Sequence, residues 1–126
     1  MYKTITVNIM VENVLETIKF YEEKLGFKKI LSVPEEGENL NFAIIMKDNI
    51  QIMMQEKENL ISEYETLKTE TIKPTFTLFI TVEDVEKLYD ELKNKVELAK
   101  ELHQTFYGKP EFAIFDNNKN ILTISC

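Results

Sequence analysis

The chain says the same thing twice, and this constrains its fold more than any other feature. Val11-Glu12-Asn13-Val14 opens one apolar run of helical spacing, and Val82-Glu83-Asp84-Val85 opens another, an offset of 71 (82 minus 11). Phe42-Ala43-Ile44-Ile45 leading into Ile50-Gln51-Ile52 is echoed by Phe112-Ala113-Ile114-Phe115 leading into Leu122-Thr123-Ile124. Self-similarity through most of both halves implies two copies of one supersecondary unit. Copies that face each other enclose a cleft, so the residues at the matched inward positions decide much of the function.

Each copy reads as strand, helix, then three strands. Lys3 to Val11 alternates, with Ile5, Val7, Ile9 and Val11 on one face and Thr4, Thr6, Asn8 and Met10 on the other. Asn13 stands as helix N-cap with Glu16 three residues on. Val14, Ile18, Tyr21 and Leu25 follow at helical spacing, and Gly26 is the stop. Phe27 to Val33 reads as a strand, and Pro34 to Asn39 as turn chemistry. Leu40 to Met46 and Ile50 to Gln55 form a hairpin through Lys47-Asp48-Asn49. Glu56 to Lys73, with Leu60, Ile61, Tyr64 and Leu67 as a partial stripe, is a helical connector that Pro74 ends.

The second copy places Phe76, Leu78, Ile80 and Val82 on one strand face and Thr75, Thr77, Phe79 and Thr81 on the other. Asp84 caps a helix carrying Val85, Leu88, Tyr89 and Leu92, with Asn94 near its stop. Val96 to Ala99, Glu111 to Phe115 and Ile121 to Cys126 complete the strands, the loop around Tyr107-Gly108-Lys109-Pro110 lying between the first two. The expectation is a single α+β domain over 1–126: module 1 about 1–56, connector about 57–73, module 2 about 74–126. Two tandem βαβββ modules would form a curved mixed sheet around a cleft, with the helices on its convex side. Strand parity leaves Gln51, Met53 and Gln55, and Thr123 and Ser125, on the inner side; a one-residue slip would exchange the sets.

This tandem unit resembles the vicinal oxygen chelate superfamily of glyoxalases, bleomycin and fosfomycin resistance proteins and extradiol dioxygenases. The resemblance rests on Val11-Glu12-Asn13, then Phe20-Tyr21, then Leu25-Gly26-Phe27 in the first half. In the second half it rests on Tyr107-Gly108, Phe112-Ala113, and Asp116-Asn117-Asn118-Lys119-Asn120 running into Ile121. In the family's metalloenzymes each module offers one ligand on its first strand and one on its last, usually His, Gln or Glu, and the metal polarises paired substrate oxygens. Carried onto this chain, the positions are Thr6, Gln51, Thr77 and Thr123. No imidazole or carboxylate stands among them, whereas a stable transition-metal site usually wants three or four strong donors. The resemblance therefore implies a scaffold with no metal and no cofactor.

Elsewhere the chemistry is sparse. His103 is the one histidine and reads as a structural residue. Glu56 and Asp116 read as solvated turn carboxylates. The terminal Cys126, the one cysteine, reads as an incidental thiol, excludes an internal disulfide and suits a reducing cytoplasm. The formal charge of −7 argues against nucleic acid, which rewards clustered cations. No stretch approaches the ~18 apolar residues of a membrane span, and the N-terminus reads as a strand rather than a signal peptide.

Function follows as a set of expectations. The first is a metal-independent binding protein of the bleomycin-resistance kind, a cytoplasmic homodimer that sequesters a small, toxic or antibiotic compound. Its ligand residues are Thr6, Asn8, Met10, Gln51, Met53, Thr77, Phe79, Tyr107 and Thr123, the hydroxyls and Asn8 orienting a ligand and the thioethers conforming to it. Met46 and Met54 read instead as core. The chain has no Trp, which removes the largest stacking surface for bleomycin itself. The alternative is a metal-dependent lyase, transferase or dioxygenase that recruits His103, Glu56 and Gln55. A third reading is an interaction module whose groove is filled by its own side chains.

Overall fold

In a computed structural model, which describes residues 1–126, the chain forms two compact units, Met1–Ile72 and Lys73–Cys126. The first runs β1 (Asn8–Val11), α1 (Val14–Leu25), β2 (Lys28–Val33), β3 (Phe42–Lys47), β4 (Ile50–Glu56) and α2 (Lys57–Glu63). The second runs β5 (Thr77–Thr81), α3 (Val85–Leu92), β6 (Leu98–Gln104), β7 (Pro110–Phe115) and β8 (Ile121–Ser125). Each unit builds a four-stranded mixed sheet, in the orders β1-β4-β3-β2 and β5-β8-β7-β6. The first strand of each runs parallel to the last, and the remaining neighbours are antiparallel. One topology used twice is the physical content of the repeat, and the architecture is α+β with two βαβββ modules.

Local chemistry explains the elements. The Asn13 side chain accepts from the Glu16 amide at 2.9 Å, and the Asn13 carbonyl takes the Thr17 hydroxyl at 2.8 Å. These satisfy groups that the first helical turn leaves orphaned. Gly26 ends α1 at φ 76°, a left-handed conformation that costs other residues. Asp84 repeats the cap on α3, accepting from the Lys87 amide at 3.0 Å. One face of each sheet is covered by its helix. In module 1 Ile9, Val11, Ala43, Ile45, Ile52 and Met54 are buried there beneath Val14, Ile18 and Tyr21 of α1. In module 2 Phe112, Ile114, Leu122 and Ile124 are buried with Val85 and Leu92 of α3. We call the opposite side of each sheet its open face.

Three expectations need correction. β1 begins at Asn8 rather than Lys3, and Ile5 is 98% exposed. Asn8 pairs with Met53, so a continued register would bring Ile5 level with Ile50, where β4 begins. Val7 still accepts from the Met53 amide at 2.9 Å, but Lys3 and Thr4 lie beyond the start of β4 and have no strand to pair with. The connector is helical only as α2 and a short 3₁₀ turn, Glu65–Leu67, because Leu60 alone of its four-residue stripe is buried. β6 lies at Leu98–Gln104 rather than Val96–Ala99. Two register shifts, around Lys100, break the period of two in β6, and that irregularity hides the strand from periodicity.

Candidate functional site: the open sheet faces

The parity on which the site depends is borne out in each sheet. In β4, Ile52 and Met54 are buried while Gln51 and Met53 are half-buried on the other side. In β8, Leu122 and Ile124 are buried while Thr123 is half-buried. Met54 is core, as its place on the helix side requires, whereas Met46, expected to be core as well, is half-buried on the open face opposite Gln51.

On module 1 the open face carries Asn8 and Met10 of β1 and Gln51, Met53 and Gln55 of β4, with Ile44 and Met46 of β3 paired opposite Met53 and Gln51. Thr6 is half-buried just upstream of β1. Asn8 is already engaged, its amide nitrogen donating to Gln55 Oε1 at 2.9 Å. Gln55 Nε2 donates in turn to Asn59 Oδ1 at 2.7 Å and Glu63 Oε1 at 3.1 Å. Helix α2 is thereby tied to the end of this face, and Gln55 is only 8% exposed. A buried amide with every group satisfied is a specifying contact rather than a free ligand.

On module 2 the structure brings two predicted residues together. Thr77 Oγ1 and Thr123 Oγ1 share a hydrogen bond of 2.9 Å. Phe79, 58% exposed, stands opposite Thr123. Tyr107 lies in the β6–β7 turn, and its hydroxyl donates a short hydrogen bond to Glu111 Oε2. That bond, with some burial and the negative charge of Glu111, raises the Tyr107 pKa above its ordinary 10.0. His103 is in β6, level with Glu111.

The register also realigns the two halves. Asn8 is level with Met53, and its repeat-mate Phe79 is level with Thr123. The module 1 counterpart of Thr123 is therefore Met53, one pleat along from Gln51. Both lie on the open face, so parity survives the shift, but the matched set becomes still poorer in metal donors. Hydroxyls, an amide and a thioether are weak ligands for a divalent cation. No group of three or more His, Cys, Asp or Glu side chains is arranged to hold a metal ion. The residues do not fit the chelated metal of the family's enzymes.

Both carboxylates expected to be solvated are structural. Glu56 caps α2, accepting from the Glu58 and Asn59 amides at 2.8 and 2.9 Å. Asp116 is buried in the β7–β8 turn and accepts from the Asn118 and Asn120 amides. Cys126 is exposed and free. Ser125, expected on the inner side, is 1% exposed there, and Glu111, outside the expected set, shares that face. Their signal was parity alone, Glu111 two residues before Ala113 and Ser125 two after Thr123. Module 1 also has recesses of about 220 Å³ beside Glu12, Glu38 and Glu56, and about 490 Å³ beside Lys57, Lys68 and Glu70. Neither contains a predicted ligand residue, and Glu12 and Glu56 are engaged with Lys57 and the α2 cap. No helix is long and apolar enough to cross a membrane.

Comparison with known proteins agrees with this architecture. TioX from Micromonospora sp. ML1 superposes with a TM-score of 0.73 at 12% identity, covering 98% of both chains. A hypothetical protein from S. aureus gives 0.77 at 15% identity over 99% of this chain and 94% of that one. A bleomycin-binding protein from Streptomyces verticillus, solved with copper(II)-bleomycin, gives 0.68 at 20% identity over 100% of this chain and 98% of its own. At these identities the likeness is one of fold. No curated protein matches the chain by sequence. The family model described as Glyoxalase/Bleomycin resistance protein/Dioxygenase superfamily matches residues 5–124, and the chain, with its twice-used βαβββ module, belongs to that superfamily.

Proposed function

We propose that the protein is a metal-independent small-molecule binding protein that takes an organic ligand on its open sheet faces by burial and hydrogen bonding. One observation carries this reading: the first- and last-strand positions where family enzymes place chelating residues hold Thr6, Met53, Thr77 and Thr123, with Gln51 one pleat away. The faces are otherwise suited to an adaptable ligand, mixing Met10, Met46, Met53 and Phe79 with the hydroxyls of Thr77 and Thr123. The solved complex of a related fold with copper(II)-bleomycin supports sequestration of a toxic or antibiotic compound as the role. A chain with one cysteine suits the cytoplasm. Exposed Met1, Tyr2 and Ile5 support a homodimer that covers them, which light scattering would detect as twice 14.8 kDa.

The displaced-ligand enzyme is disfavoured because Gln55 and Glu56 are committed to the α2 network and cap. The decisive test pairs elemental analysis of protein purified without chelator with a thermal-shift panel of small organic ligands. Metal well below one ion per chain, with ligands raising the melting temperature, is the expected result. A ligand at about 100 times its Kd adds ~2.7 kcal/mol of stability, which such a scan resolves. One tightly held transition-metal ion per chain overturns the proposal.

A further inference from the structure

The open face of module 2 has a relief that the rest of the molecule lacks an explanation for. Its two central strands carry small side chains there, Ala113 on β7 and Thr123 and Ser125 on β8. Ala113 is only 7% exposed although it belongs to the open face, since larger neighbours stand around it. On the β5 side Phe79 rises beside Thr123. On the β6 side His103 stands level with Glu111, and Tyr107 reaches Glu111 from the adjoining turn. These positions outline a trough, its floor Ala113, Thr123 and Ser125, with Phe79 on one side and Glu111, His103 and Lys100 on the other.

The polar side offers acceptors at Glu111 and His103. Phe112 pairs with Ile124, so Glu111 and Ser125 are neighbours in the next row, and Ser125 is level with Thr81. Tyr107 Oη–H donates to Glu111 Oε2, which fixes the carboxylate and leaves Oε1 to accept. His103 Nδ1 lies 2.8 Å from the Glu101 carbonyl. A carbonyl can only accept, so Nδ1 donates, and in the neutral tautomer this leaves Nε2 to accept. Lys100, level with Ala113 on the same face, is exposed.

We propose that this trough recognises a flat, protonated nitrogen group, an amidinium or guanidinium, lying over Ala113 and Thr123 against Phe79 and donating to Glu111 and His103. Such a group supplies several N–H donors in one plane, matches a carboxylate in geometry and charge, and is weakly hydrated enough to rest on an aromatic ring. The assignment rests on the small-molecule-binding reading and names the ligand chemistry of one of its faces. Tyr107 is a positioning residue in it, acting through Glu111.

The probes are benzamidine, its neutral isostere benzamide and its anionic counterpart benzoate, titrated into the full chain at neutral pH and followed by amide chemical shifts. Benzamidine is expected to move Ala113, Thr123 and Ser125, with benzamide and benzoate at least tenfold weaker. Glu111→Gln, nearly isosteric, is expected to weaken benzamidine about tenfold or more, as loss of a charge-assisted pair should, and Tyr107→Phe by less. Benzamidine affinity unmoved by Glu111→Gln, or benzamide matching it on this face, overturns the cation assignment and leaves small-molecule binding standing. Failure of all three probes together with the wider ligand panel, on protein that circular dichroism shows folded, overturns both.

Discussion

Replacing Asp116 by Ala tests whether the β7–β8 turn is held by one buried carboxylate. Oδ1 accepts from the Asn118 amide at 2.8 Å and the Asn120 amide at 2.9 Å, and Oδ2 from Asn120 Nδ2 at 2.9 Å. Asp116, Asn118 and Asn120 are 4%, 7% and 2% exposed, so water cannot replace the lost acceptor. Each hydrogen bond to a charged group is worth about 1.5–3 kcal/mol, and leaving buried donors unsatisfied carries a further desolvation cost. These contributions share one side chain and are not additive, so we expect Asp116→Ala to cost about 3–5 kcal/mol. Asp116→Asn is the discriminating control. It keeps an acceptor for the two amides and turns a donor towards Asn120 Nδ2, and should lose about half as much. Urea unfolding followed by circular dichroism and tyrosine fluorescence reads both values. A loss below about 1 kcal/mol for Ala, or equal losses for Ala and Asn, would refute the reasoning.

Other outcomes follow from the same structure. Asn13→Ala removes the α1 cap and should cost about 1 kcal/mol by denaturation, with Asn13→Gly recovering much of it. Gly26→Ala forces φ 76° on a residue with a Cβ, 3.2 Å from Lys47 Nζ, and should cost about 1 kcal/mol; no change in the urea midpoint would contradict the left-handed cap. Tyr21 is fully buried, edge-on to Phe20 and Phe27 with centroids 5.6 and 5.5 Å away, so Tyr21→Ala should cost roughly 3–5 kcal/mol. Tyr107 binds its phenolic proton more tightly folded than unfolded. Its contribution is therefore complete below 10.0 and lost as pH rises beyond that through the raised folded value. Ultraviolet titration should show one late-ionising tyrosine that returns towards 10.0 in Glu111→Gln, and an unchanged titration would contradict the Tyr107–Glu111 bond.

Much of the fold was legible because its signals are local. The Asn13 and Asp84 caps and the Gly26 stop each act within one helical turn, and the alternation in β4 and β8 reports a face without needing a partner. Where pairing decides, the sequence ran out. Lys3 to Ile5 alternates as well as Ile9 to Val11, yet only the latter is paired with β4. The site was legible to the same depth. Parity placed Gln51, Met53, Thr77 and Thr123 on the open faces, but the one-pleat shift between Gln51 and Met53 is a matter of register. The sequence could not show that Gln55 is consumed by Asn8, Asn59 and Glu63, or that Tyr107 meets Glu111.

The amino-acid order by itself determined that there are two modules, which faces of their strands are apolar, and that the inherited chelating positions hold neutral side chains. Those are statements about composition at fixed spacing, and backbone stereochemistry converts spacing into faces. Tertiary structure decided which polar groups are spent and which are left to act. A hydrogen bond across strands depends on register and on the turn that sets it, neither of which has a local code. Asp116 is therefore a buried keystone of its turn rather than a solvated carboxylate, and Glu111, set against Ser125, His103 and Tyr107, is where the open face of module 2 keeps an acceptor free.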